Sequence, residues 1–195
     1  MENVAVLFTN ARNLGFPAGS FDIALCGFMG WDDCFDFVQF KFTQPDTKAK
    51  EIWRVLREGG KFVCCSWEAQ EDFAFMERAM LRYYPAILQD DQYLTQRPIG
   101  MSYEKAEGYE IILRAAGFEN IDVSRETAEF VSTDEEEWWR QMQYIGCDVF
   151  FEKIRVEDGH KPQRIKEAIL KDIQSHKRQD GIHFTKTVFF ICGVK

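Results

Sequence analysis

The sequence predicts an α/β fold, and three patterns carry that expectation. Short apolar, β-branched runs alternate with longer amphipathic helical stretches, the rhythm of a mostly parallel sheet with helices on its faces. Turn residues, Gly and Pro above all, fall between these runs rather than inside them. The last run, Val188-Phe189-Phe190-Ile191-Cys192, is apolar on both faces, as a strand inside a sheet must be. It follows an Asp180-Gly181 turn with no intervening helix, which marks an antiparallel strand at the C-terminal end.

Taken in order, residues 4–8 and 22–28 read as strands, with Asn10-Ala11-Arg12-Asn13 and Pro17-Ala18-Gly19-Ser20 supplying turn chemistry between them. Residues 48–57 place Ile52, Val55 and Leu56 at helical spacing, and Gly59-Gly60 offers the left-handed backbone at which that helix should stop. Residues 61–67 form a buried strand, residues 72–84 a helix closed by Pro85, and the polar residues 89–100 a loop or flap. A further helix covers residues 102–116 and stops at Gly117, and residues 121–123 and 129–131 are strand-like. Thr133 is the expected N-cap of a helix whose first turn, residues 134–137, is acidic and so complements the helix dipole; Trp138 and Trp139 open its apolar part. A basic amphipathic helix follows Pro162 to about residue 177, and residues 183–194 form the closing strand. The expected organisation is one domain over residues 1–195, with residues 132–178 inserted as a helical cap.

Composition narrows the partners. The chain is 46% hydrophobic and 15% aromatic, with 18 Phe and 5 Trp, far too apolar for a disordered segment. A formal charge of −8 disfavours nucleic acid and anionic membranes, which need a dense positive footprint. A small molecule or a protein is the expected partner. Neither a long apolar run nor a basic-then-apolar N-terminus is visible, so a cytoplasmic location is expected. The six cysteines contain no C-x-x-C pair, and the adjacent Cys64 and Cys65 point to opposite faces of their strand. They read as buried reduced thiols, with no metal site and no disulfide.

Three stretches in a fixed order then become recognisable. Ala11-x-x-Leu14-x-Phe16-Pro17-x-Gly19-Ser20-Phe21-Asp22 precedes an apolar strand, and Arg54-Val55-Leu56-Arg57-x-Gly59-Gly60-Lys61-Phe62 follows it. Leu113-Arg114-x-Ala116-Gly117-Phe118-Glu119 with Ile121-x-Val123 comes later. Together they resemble the class I, Rossmann-like S-adenosylmethionine-dependent methyltransferases, of the kind acting on small molecules. Most of these positions have scaffold roles, so they speak to the fold before the chemistry.

The resemblance implies S-adenosyl-L-methionine as cofactor. It places Asn10 and Ala11 beside the adenine, where the family usually carries an acid followed by Ala. It also sets Cys26, Gly27 and Phe28 along the methionine half, and brings the residues from Met29 to Asp32 near the transferred methyl group. Met29, Trp31, Trp67 and Trp138 are the candidate substrate residues. Packing in the core is the competing role for Trp138 and Trp139, because adjacent helical positions differ in direction and only one is expected to face fully inward. No catalytic base is assigned. Asp32, Asp33 and Glu68 sit in strand-end segments, but methyl transfer to a good nucleophile needs mainly alignment. His160, His176 and His183 are expected to have surface or packing roles, and the basic face of Lys161, Arg164, Lys166 and Lys171 to be solvated.

The family's glycine-rich turn and the acidic residue for the ribose hydroxyls have no counterpart: only nine residues precede Asn10, and no G-x-G occurs. The expectation is therefore a methyltransferase sheet truncated on its N-terminal side. It carries a half-built cofactor site and an open edge beside residues 4–8, at which two copies could pair as a homodimer. A non-catalytic methyltransferase-like partner subunit is the competing function.

Overall fold

The computed structural model describes residues 4–29, 35–36, 41–42, 46–84, 105–143 and 160–195. Strands β1 (Phe21–Cys26), β2 (Phe35–Asp36) and β3 (Lys41–Phe42) are followed by α1 (Thr47–Val55), β4 (Leu56–Gln70) and α2 (Glu71–Tyr83). After these come α3 (Ala106–Ala116), β5 (Glu119–Ser132), α4 (Glu135–Met142), α5 (Lys161–Asp172), a 3-10 turn (Ile173–His176), β6 (Lys177–Arg178) and β7 (Gly181–Val194).

The main sheet has the order β1-β4-β7-β5, with β6 paired to β7. β1 and β4 are parallel, in register from Ile23 opposite Lys61 to Cys26 opposite Cys64. Gly60 pairs with Lys195, whereas Glu71 lies beside Thr185, so β7 runs against β4. Gly181 abuts Ser132 and the Thr127 and Thr187 hydroxyls meet at 2.8 Å, so β7 also runs against β5. The antiparallel C-terminal strand expected from the sequence thus lies between two parallel ones.

The chain divides into two compact units. The first comprises residues 1–68, 98–126 and 188–195, the second residues 69–97 and 127–187. β4, β5 and β7 each contribute residues to both, and the second unit takes in α2 as well as the stretch expected as a cap. In the first unit, Ala49 and Ile52 of α1 and Ala106, Tyr109, Ile112, Leu113 and Ala116 of α3 enclose Leu56, Phe62, Cys64, Phe189 and Ile191 of the sheet. Burying each such side chain contributes about 1.5–3 kcal/mol. In the second unit Met76, Met80, Trp138, Trp139, Met142, Ile165, Ile169 and Phe184 form the core.

Several expectations are corrected. Residues 4–8 form no strand, and Val4, Val6, Leu7 and Phe8 are exposed, because no ladder partner stands beside them among the described residues. Gly59-Gly60 does not end a helix, since α1 stops at Val55. Phe21 faces Leu56 and Ile23 faces Lys61, so β4 bulges between them. Gly59 has φ +72°, and a Cβ on Gly60 would sit 2.7 Å from the Arg57 carbonyl oxygen. The two strand-like pieces after Gly117 are one strand, β5: its ladder to β7 carries it through the polar middle. Trp138 and Trp139 are both buried, at 1% and 6% exposure, Trp139 being covered by the Lys166 ammonium. The loop expected at residues 89–100 lies outside the described residues.

Candidate functional site

Ligands of open α/β sheets sit beyond the C-terminal ends of the parallel strands. In the first unit those ends are Cys26 of β1 and the Trp67–Glu68 stretch of β4. The chain leaves β1 through Gly27, Phe28 and Met29. Among the described residues, and its chain neighbours aside, nothing lies within 4 Å of where a Cβ on Gly27 would stand. Phe28 adopts φ 49°, a left-handed conformation that costs a bulky residue of order 1–3 kcal/mol.

Specific contacts hold this turn. The Phe28 N–H donates to Cys65 Sγ at 3.4 Å, and the Met29 N–H donates to the Cys65 carbonyl at 3.2 Å. The Tyr109 hydroxyl, buried on α3, donates to the Met29 carbonyl. The Phe28 ring, 52% exposed, lies 4.7 Å from the Trp67 ring, whereas Met29 is buried. Gly27, Phe28 and Met29 thus follow Cys26 in one turn, with the Phe28 ring beside Trp67. Trp31 lies outside the described residues. Trp138 packs in the core of the second unit against Phe75 and Phe184, and its indole N–H has no hydrogen-bond partner there.

Asn10 and Ala11 occupy a tight exposed turn. The Asn10 carbonyl accepts from Asn13 N–H at 2.8 Å, and Asn10 Oδ1 accepts from Arg12 N–H at 2.9 Å, an Asx turn. The turn is tied to α1, since Leu14 N–H donates to Glu51 Oε1 at 2.8 Å. Arg54 grips the same carboxylate, holding it below the usual carboxylate range.

Cys26, Cys64 and Cys65 around this site are free cysteines. Burial pushes Cys26 up, and pushes Cys64 up further still, so both stay protonated and neither is a ready nucleophile. Glu68 faces the Arg125 guanidinium at 3.6 Å, and Arg125 also bonds Glu107 at 3.1 Å. Two clefts, of about 400 Å³ and about 270 Å³, lie in the second unit, and no residue of the β1–β4 turn lines either. The first runs along Trp139 and Lys166, the second along Glu71, Glu129 and His183. Sequence reasoning missed Tyr109 and Cys65. Tyr109 shares the apolar spacing of Ile112, Leu113 and Ala116, so it reads as one more core residue.

Comparison with known proteins bears on the fold. Residues 2–64, which hold the Asn10 turn, β1 and the start of β4, match the family model of the methyltransferase domain. A demethylmenaquinone methyltransferase of Alkalihalophilus pseudofirmus is 26% identical over 132 residues, covering 63% of this chain and 52% of its own length. The chain thus spans about half the length of that curated relative. Among solved structures, a candidate methyltransferase from Bacillus halodurans C-125 superposes with TM-score 0.53 at 18% identity, over 100% of this chain and 78% of that one. The YcgJ protein of Bacillus subtilis gives TM-score 0.49 at 16% identity, over 96% and 69%. The match over residues 2–64, the curated relative and the shared fold thus make the chain similar to proteins of the methyltransferase domain family.

Proposed function

We propose that this protein transfers a methyl group from S-adenosyl-L-methionine to a small-molecule acceptor. The observation that carries the reading is the strained turn after β1: bare Gly27 and the exposed Phe28 ring, in a sheet of the methyltransferase type. The residues suit the group. Space above Gly27 admits a ligand to the backbone, and the Phe28 and Trp67 faces suit a positively charged sulfonium through its attraction to aromatic π-systems. Asn10 and Ala11 are assigned to the adenine. Oδ1 of Asn10 accepts one bond from Arg12 and keeps a second lone pair for an adenine amino group.

S-adenosyl-L-methionine, when bound, supplies an activated methyl group on sulfur. The chain's own part is to hold donor and acceptor in line and to exclude water. Cys26, Gly27 and Phe28 are assigned to the methionine half, and Met29, Trp31 and Trp67 to the acceptor side. Trp138 stands apart from this set as core of the second unit. A dedicated base is not required, because alignment of donor and acceptor supplies most of what methyl transfer to a good nucleophile needs. The name of the curated relative, a demethylmenaquinone methyltransferase, supports an acceptor that is small and partly apolar. The free cysteines among the described residues suit a reducing compartment such as the cytoplasm, and among those residues no helix is long and apolar enough to cross a membrane.

Calorimetric titration with S-adenosylhomocysteine tests the reading. Saturable binding with a dissociation constant of about 10–100 μM, near −6 kcal/mol, is expected; no heat at millimolar ligand would sink it.

A second reading rests on a separate observation. β1 ends the path of the main sheet, and Phe21, Ile23 and Leu25 are exposed along one of its faces. Among the described residues the outer edge of β1 has no ladder partner, and such an edge beside an exposed apolar face invites pairing. On this reading the chain is a non-catalytic partner subunit, its sheet completed by a second copy of itself.

A further inference from the structure

The turn from Gly27 to Met29 is held more firmly than a connecting loop needs. Its middle residue is a phenylalanine at φ 49°, where glycine would sit without strain. A strained conformation persists only where surrounding contacts over-determine it. Cys65 supplies two such contacts, through its sulfur and its carbonyl, from the neighbouring strand. Tyr109 supplies another from α3, with its ring edge-on to Phe189 at 4.9 Å. Tyr109 is 1% exposed and its hydroxyl reaches a backbone carbonyl rather than solvent, so the bond is made in a low-dielectric interior where it orients strongly.

We propose that Tyr109 is a positioning residue of the methyl-donor site. By anchoring the Met29 carbonyl while Cys65 anchors the amides of Phe28 and Met29, it keeps Phe28 left-handed and its ring against Trp67. The open side of Gly27 therefore faces the ligand instead of being closed by a relaxed turn. This rests on the methyl-transfer reading for the ligand, though the clamp itself is a property of the apo chain. Removal of the hydroxyl frees the Met29 carbonyl and lets Phe28 relax toward negative φ, which carries its ring away from Trp67.

The test uses the full chain labelled with 5-fluorotryptophan, with the Trp67 fluorine resonance assigned by its loss in Trp67→Phe. In Tyr109→Phe, which keeps the ring packed on Phe189, the Trp67 resonance should shift or broaden and the dissociation constant for S-adenosylhomocysteine should rise about tenfold. Ile112→Val, a core change in the same helix, controls for general loosening and should leave the Trp67 resonance in place. An unchanged Trp67 resonance in Tyr109→Phe overturns the clamp. If the parent chain binds no S-adenosylhomocysteine the methyl-transfer reading fails, and the fluorine spectrum still decides the clamp.

Discussion

His183 shows how one residue couples pH to the hold of a hairpin. It is buried, with Nε2 2.8 Å from Asp180 Oδ1 and Nδ1 3.1 Å from Glu129 Oε2. Arg178, 2.7 Å from the other Glu129 oxygen, is the nearby cation. The bond to Asp180 is the main reason the imidazole is held above its ordinary 6.5, and the same bond holds Asp180 below its ordinary 3.8. The histidine's contribution is complete below its unfolded value and is lost as pH rises through the raised one. The aspartate's contribution is present above 3.8 and lost as pH falls below it. Thermal unfolding midpoints should therefore fall more steeply in the parent chain than in His183→Gln as pH rises above 6.5. Parallel curves would show that the pair contributes nothing. The sequence places His183 among residues with surface or packing roles; in the fold it is buried. Its two carboxylate partners come from β5 and from the turn before β7, so only the folded chain brings them together.

At the scale of elements, the start of α4 tests how closely local signals fix a boundary. Thr133 is the expected cap, yet Asp134 holds the extended cap conformation, and its Oδ1 accepts the Glu137 N–H at 2.8 Å. Thr133 instead gives its N–H to the Glu137 carboxylate at 2.6 Å, so the two residues share the work of closing the helix end. Asp134→Ala should lower stability by about 1 kcal/mol in urea denaturation, while Asp134→Asn stays within a few tenths of the parent. Equal stability of all three would mean that Glu137 and Thr133 suffice. The cap shifted by one residue because Thr, Asp and Glu in succession offer two chemically valid caps, and backbone geometry chose between them. Gly59-Gly60 teaches the same lesson on a strand. The need for a left-handed residue was legible, but whether a helix or a bulge required it was set by the pairing of β4 with β1 and with Lys195.

For the molecule as a whole, the open edge of β1 makes a measurable prediction. Leu25 is 76% exposed on the face that also bears Phe21 and Ile23. If a second copy completes the sheet, sedimentation equilibrium should show a concentration-dependent dimer that Leu25→Lys abolishes, since a charge on an edge strand blocks pairing. A parent chain that stays monomeric at every concentration would remove the partner-subunit reading and leave methyl transfer as the one to pursue.

The sequence by itself determined the class of fold, the order of most elements and the antiparallel last strand. These follow from hydrophobic period, turn residues and a few glycines, all of which act over short stretches of chain. It also located the turn after β1, because Cys26-Gly27-Phe28 stands at the end of an apolar run. Tertiary structure alone decided that Phe28 is left-handed, that Tyr109 and Cys65 hold the turn, and that both Trp138 and Trp139 are core. Residues 4–8 read as a strand because their side chains suit one, but a strand exists only when its backbone groups find a neighbour. The reason is common to all of these cases: they depend on partners distant along the chain, such as Met29 and Tyr109, whose pairing no local pattern encodes.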